Sequence, residues 1–193
     1  MINSIKSIIE DSIALKRSIL GDDEVISQIL KAVTIIASSL RSGKKIMVAG
    51  NGGSAADSQH IVAEFVGRLN ISRDPLPAIA LTTDTSVITA ISNDFDFSEI
   101  FVRQVKAIGK PGDILLLIST SGNSLNLIKA AEESKKLGII TIGILGKDGG
   151  NLLNLVDVPI LIKHNNTQRI QECQLMIEHI ICELVEQQVQ VFT

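Results

Sequence analysis

The chain has 193 residues, 45% hydrophobic and 20% charged, with a formal net charge of −3. That is enough for one sizeable core and places it among ordinary globular proteins, not disordered ones. With no long basic run, no Trp, no Tyr and five Phe, it offers neither a general nucleic-acid surface nor a base-stacking platform.

The opening MINSIKSIIEDSIALKRSIL is amphipathic, with Ile5, Ile8, Ile9 and Ile13 on one helical stripe. Its early acids interrupt any apolar block, which argues against a signal peptide. A second stripe, Val25, Ile26, Ile29, Val33, Ile36, Ala37 and Leu40, stops at Gly43. No run approaches the ~18 apolar residues that cross a bilayer, so no membrane role is expected. Five short apolar runs follow: KIMVAG, AIALT from Ala78, DILLLIS from Asp113, IITIGIL from Ile139 and VPILI from Val158. Helical patterns separate most of them. SEIFVRQVKAIG precedes Pro111, SLNLIKAAEESKKLG ends on Gly138 as a natural C-cap, and a last helix runs from about Thr167 to Val191. Strands that are apolar throughout and alternate with helices predict an α/β fold with a parallel sheet covered on both faces. Without a repeat or a low-complexity linker, residues 1–193 read as one domain, with helices in 1–42 preceding a core in 43–193. Cys173 and Cys182 would sit ~13 Å apart on the last helix, too far for a disulfide, and read as buried reduced thiols of a cytoplasmic protein.

In such a sheet ligands bind beyond the C-terminal strand ends. Those ends carry GNGGSAADSQH, TTDTS, STSGNS and GKDGGN. The glycines match neither the dinucleotide fingerprint nor the P-loop. STSGNS places Ser119, Thr120, Ser121 and Ser124 between a strand end and a helix start. Hydroxyls and free helix N-terminal N–H groups make a cradle for a phosphomonoester, although a Ser-rich N-cap turn has the same composition. His60 and Glu64, at i and i+4, share a helix face: a solvated pair, or a working one because this helix starts at the glycine turn. The last helix adds Arg169, Gln171, Glu172 and His179. Gln171 and His179 are separated by ~12 Å of rise and ~80° of turn.

Taken together, GNGGSAADSQHIVAEFVGR, LTTDTSVITAISNDF, ISTSGNS, GKDGG and RIQECQLMIEHIICELVE resemble the bacterial phosphoheptose isomerases (sedoheptulose 7-phosphate isomerases) of the sugar isomerase, or SIS, fold, in order and over residues 2 to 191. The resemblance implies a three-layer αβα sandwich with a five-stranded parallel sheet in flavodoxin-like order, and N-terminal helices used in a homotetramer. It implies conversion of sedoheptulose 7-phosphate to D-glycero-D-manno-heptose 7-phosphate, the first step of ADP-heptose and lipopolysaccharide core biosynthesis, with a small sugar phosphate as the only partner beyond the subunits themselves. Asn51, Gly52 and Gly53 match the family's substrate-binding turn. Ser119, Thr120, Ser121 and Ser124 match its phosphate cradle, and Asn93 and Asp94 a substrate-contacting pair. Glu64 matches the proposed base and His179 its acid/base partner. His60, Glu64, Gln171 and His179 match a zinc site, one ion per subunit, with Gln171 also touching substrate. Gln168 stands where many relatives carry an acidic or small residue.

These residue types suit an aldose–ketose isomerisation. The C1 proton moves to C2 through a cis-enediol, which needs a base at carbon and a second group exchanging protons at O1 and O2. A metal there would polarise the carbonyl. The ~12 Å between Gln171 and His179 leaves two options: stretched side chains on one helix, or a site shared between subunits. Other members of the fold supply the alternatives: a non-catalytic regulator resembling the DnaA initiator-associating protein, a sugar-phosphate sensor, or an isomerase of another sugar phosphate. The presence of Gly53, Glu64 and His179 favours the enzyme, and no DNA-binding segment accompanies it.

Overall fold

The computed structural model describes residues 1–190. Two helices, α1 (Ile2–Leu20) and α2 (Asp23–Arg41), precede the sheet. The alternating part follows as β1 (Ile46–Gly50), α3 (Gly53–Val66), β2 (Ala78–Ala80), α4 (Thr85–Asp94), a 3₁₀ turn at Phe97–Glu99, α5 (Ile100–Ile108) and β3 (Ile114–Ser119). It ends with α6 (Leu125–Lys136), β4 (Ile140–Gly146), a 3₁₀ turn at Gly150–Asn154, β5 (Val158–Ile162) and α7 (Thr167–Gln190). The strands pair in parallel in the order β2-β1-β3-β4-β5, the expected flavodoxin-like arrangement. The expected end of the last helix, Val191, lies outside the described residues. Among those described, no helix is long and apolar enough to cross a membrane.

Side chains alternate along the strands and so feed two cores. Ile46 and Val48 of β1 join Ile114, Leu116 and Ile118 of β3 under α2, α3 and α7. Met47 and Ala49 join Leu115 and Leu117 under α5 and α6. Every residue of β1 and β3 is buried, as a doubly covered parallel sheet requires. Helix ends carry the usual local chemistry. Asp22 Oδ1 accepts from Val25 N at 3.2 Å and Asp84 Oδ1 from Val87 N at 2.9 Å.

The first stripe behaves differently from the second. Val25, Ile29, Val33, Ile36, Ala37 and Leu40 of α2 are buried in the core, whereas Ile5, Ile8, Ile9 and Ile13 of α1 are exposed, at 54%, 53%, 53% and 41%. The root of α1 is nonetheless fixed. Ser12 Oγ donates to Glu172 Oε2 at 2.7 Å, and Arg169 Nη1 donates to the Ile8 carbonyl at 2.8 Å.

Candidate functional site

The loops after β1, β3 and β4 meet on one rim, and each has a distinct physical job. After β1, Gly52 takes φ +58°, and a Cβ on Gly53 would lie 2.6 Å from Gln171 Nε2. The first residue has a positive φ and so needs glycine, while at the second a side chain of α7 approaches closely, so that a larger residue would displace the Gln171 amide. Helix α3 then starts with no side-chain cap, leaving its N-terminal dipole uncovered.

After β3, Ser119 Oγ accepts from Gly122 N at 3.0 Å and Ser121 Oγ from Asn123 N at 3.2 Å. These bonds use acceptor capacity and leave both hydroxyl protons available. Ser124 occupies the N-cap of α6, yet its side chain makes no capping bond. An N-cap serine that does not cap leaves a hydroxyl and the first N–H groups of a 12-residue helix for an anion. Thr120 is half-buried beside them.

The glycine-rich turn after β4 is a buttress for this cradle, a role its composition does not announce. Leu152 N donates to Gly122 O at 3.0 Å, and Asn151 N donates to Asn123 Oδ1 at 3.0 Å. The turns press so closely that a Cβ on Gly122, which has φ +66°, would lie 1.8 Å from Gly149 O.

His60, Glu64 and His179 come together from α3 and α7, their ligand atoms all within 4.8 Å of one another. His60 Nε2 lies 3.1 Å from Glu64 Oε1 and 3.4 Å from His179 Nε2. A tetrahedral zinc ion with bonds of about 2.0–2.1 Å separates its ligand atoms by about 3.3–3.4 Å, so the spacing suits such an ion. His60 is exposed, and Glu64 and His179 are half-buried. Gln171 is not beside them within this chain, because its amide lies against Gly53, two turns nearer the start of α3. The neighbouring Glu178 is buried, and neither carboxylate oxygen finds a hydrogen-bond partner among the described residues. Desolvation, and then the charge of Asp57, push its carboxyl up to about 8.

Asn93 and Asp94 end α4, exposed and bonded to each other at 2.8 Å. Two residues on, Asp96, Phe97 and Ser98 line a cleft of about 440 Å³ with Asn51, Ser124, Leu125 and Asn126. Asp96, Ser98 and Asn126 were not among the expected site residues. The cleft therefore opens between the glycine turn after β1 and the serine-rich turn after β3. Burial pushes the Cys173 and Cys182 thiols up, and both cysteines are free.

A SIS domain model matches residues 12–146. The chain is 50% identical over 188 residues to a phosphoheptose isomerase of Clostridium acetobutylicum, covering 97% of this chain and 96% of that one. It is 45% identical to that of Aquifex aeolicus, covering 98% of each. The solved phosphoheptose isomerase of Neisseria gonorrhoeae superposes with a TM-score of 0.90 at 36% identity, over 96% of this chain and 98% of that one.

Proposed function

Because the chain belongs to the SIS-domain family, and within it to the phosphoheptose isomerases, we propose that it converts sedoheptulose 7-phosphate to D-glycero-D-manno-heptose 7-phosphate through an enediol. The observation that carries the reading is the cluster that His60 and Glu64, on the helix that leaves the glycine turn, form with His179 of α7. The phosphate docks on Ser119, Thr120, Ser121, Ser124 and the α6 N-terminus. Asn51, Gly52, Gly53 and Gln171 receive the sugar, with Asn93 and Asp94 at the edge of the cleft. Glu64 takes the proton from C1 and returns it to C2 on the same face. His179 takes the O1 proton and supplies one to O2, so no net proton is gained or lost.

His60, Glu64 and His179 would hold one zinc ion per subunit, leaving a fourth position open, as catalytic sites do. Bound there, the ion would polarise the carbonyl and lessen the charge developing on oxygen. Gln171, the fourth residue expected at the metal, would reach it only from another copy or after a rearrangement. The exposed isoleucine stripe of α1 supports assembly into a homotetramer through the N-terminal helices. Two unpaired thiols suit a cytoplasmic enzyme.

The deciding experiment follows aldoheptose phosphate formation from sedoheptulose 7-phosphate by the wild type and Glu64→Gln. The amide keeps the shape but cannot accept a proton. General-base catalysis contributes roughly 10²–10⁴-fold, so kcat falls by at least about a hundredfold, and deuterium wash-in at C1 or C2 falls in parallel. Retention of more than about a tenth of wild-type kcat would rule Glu64 out as the base.

A further inference from the structure

We propose that Asn126 is a positioning residue: from the first turn of α6 it holds the side chain of Asn51 in the orientation that meets the sugar, and so ties the glycine turn after β1 to the phosphate turn after β3. The inference rests on Asn51 being a substrate contact.

The two amides exchange hydrogen bonds. Asn51 Nδ2 donates to Asn126 Oδ1, and Asn126 Nδ2 donates to Asn51 Oδ1, each at 2.9 Å. An asparagine in a first helical turn ordinarily bonds its own local backbone. Asn126 instead reaches across 75 residues of sequence while only 2% exposed. Asn51 is half-buried and stands at the C-terminal end of β1, on the wall of the 440 Å³ cleft. Each amide offers two N–H donors and two acceptor lone pairs, and the exchange uses one of each. Asn51 thus keeps one donor and one acceptor for a ligand, in a plane its partner has fixed.

The chemistry explains why two amides meet here. The pair is neutral and self-complementary. An aspartate at 126 would lose the donor and place a negative charge beside the α6 N-terminus, where a phosphate dianion docks. A leucine there would leave the Asn51 amide free to rotate and unpaired on its buried side. Fixing a polar group before the substrate arrives removes an ordering cost from each turnover. The same bridge sets the separation of the two turns, so phosphate and sugar are received in one register.

The test is a double-mutant cycle in the full-length enzyme. kcat/KM for sedoheptulose 7-phosphate is measured for wild type, Asn51→Ala, Asn126→Ala and the double variant, together with inhibition by inorganic phosphate. Each single variant should lose roughly tenfold in kcat/KM, the cost of one misplaced hydrogen bond. The double variant should be no worse than Asn51→Ala, because residue 126 acts through residue 51. Inhibition by inorganic phosphate should stay within about twofold throughout, since the hydroxyl cradle is untouched. Additive losses, or a loss in Asn126→Ala matched by weaker phosphate inhibition, would overturn the proposal. Full activity in Asn126→Ala beside an impaired Asn51→Ala would overturn it alone. Full activity in Asn51→Ala would overturn it together with the substrate-contact reading. Should Asn126→Ala not fold, Asn126→Leu keeps the size, adds no charge and removes both bonds. The same non-additivity with Asn51→Ala is then required in kcat/KM.

Discussion

Glu186 offers a sharp test of how the helix bearing Glu64 is held. It is 1% exposed on α7 and accepts from the backbone N–H groups of Leu69, Asn70 and Ile71 at 3.2, 2.8 and 3.1 Å. Arg73 Nε lies 3.0 Å from Glu186 Oε1, and its N–H is not directed along that line, so charge binds the pair more than a linear hydrogen bond does. Arg73 also donates to the carbonyls of Glu64 at 2.8 Å and Phe65 at 2.9 Å, closing the end of α3. Removing one member of a buried ion pair costs about 3–5 kcal/mol. The lower end applies to Glu186→Ala, because Arg73 keeps its carbonyl partners and the half-exposed loop reaches water. A loss of about 3 kcal/mol lowers Tm by roughly 6–12 °C in a chain of this size. Glu186→Gln, which keeps one acceptor oxygen, costs about 1–2 kcal/mol. Desolvation raises the Glu186 carboxyl, but the three N–H groups and Arg73 outweigh it and hold the group below its usual value of 4.5. A depressed carboxyl stabilises the fold above its unfolded value, and that stability is lost as pH falls through the folded one. The Tm gap between wild type and Glu186→Gln should therefore be constant above about pH 5.5 and narrow on acidification below 4.5. Differential scanning fluorimetry from pH 7 to 3 measures it. An unchanged Tm in Glu186→Ala, or a gap independent of pH, would refute the clamp.

Ser121→Ala and Ser124→Ala should each raise KM for the sugar phosphate by the equivalent of about 1–2 kcal/mol, with unchanged folding; normal KM in both would remove the phosphate from this turn. His60→Ala should lower the zinc bound per subunit, read by elemental analysis after dialysis against the metal; full zinc content would exclude His60 as a ligand. Gly122→Ala forces a Cβ to within 1.8 Å of the Gly149 carbonyl at φ +66°, so it should either misfold or weaken phosphate inhibition by at least about tenfold; neither outcome would mean that the turns are not pressed together.

The strands were legible because doubly buried parallel strands are continuous apolar runs, and each observed strand falls inside its expected run except β4, which extends one residue further to Gly146. The edge strand β2 keeps only Ala78–Ala80 of the expected AIALT. Helix α4 was not legible. TSVITAISND is rich in β-branched residues and serine, which are poor helix formers, and the Asp84 cap starts it. His60 and Glu64 could be paired from their spacing, but His179 joins them through tertiary packing that only the family resemblance implied. Asn126 and Glu186 bond partners 75 and 115 to 117 residues away, and no periodicity encodes such contacts. The GKDGG turn reads in the sequence as one more glycine-rich loop on the rim, and the close approach of Gly149 to Gly122 emerges only in the fold.

Helices α3 and α7 share one register, which gives meaning to the ~12 Å between Gln171 and His179. From Gly53 to His60 is seven residues, ~10.5 Å of rise, and from Gln171 to His179 is eight, ~12 Å. Gln171 meets Gly53, and His179 meets His60, so the two helices run side by side in the same direction. One packing interface thereby sets two levels of the site, the proposed substrate turn below and the proposed proton-transferring cluster above. Gln174, wholly buried between them in sequence, donates to the Ile144 carbonyl of β4 at 2.8 Å and pins α7 to the sheet. A slip of α7 by one turn, about 5.4 Å, would separate both pairs at once. The proposed binding and catalysis therefore depend on a single helix register, held by the Gln174 bond together with Ile170, Ile177 and Ile181 buried in the core.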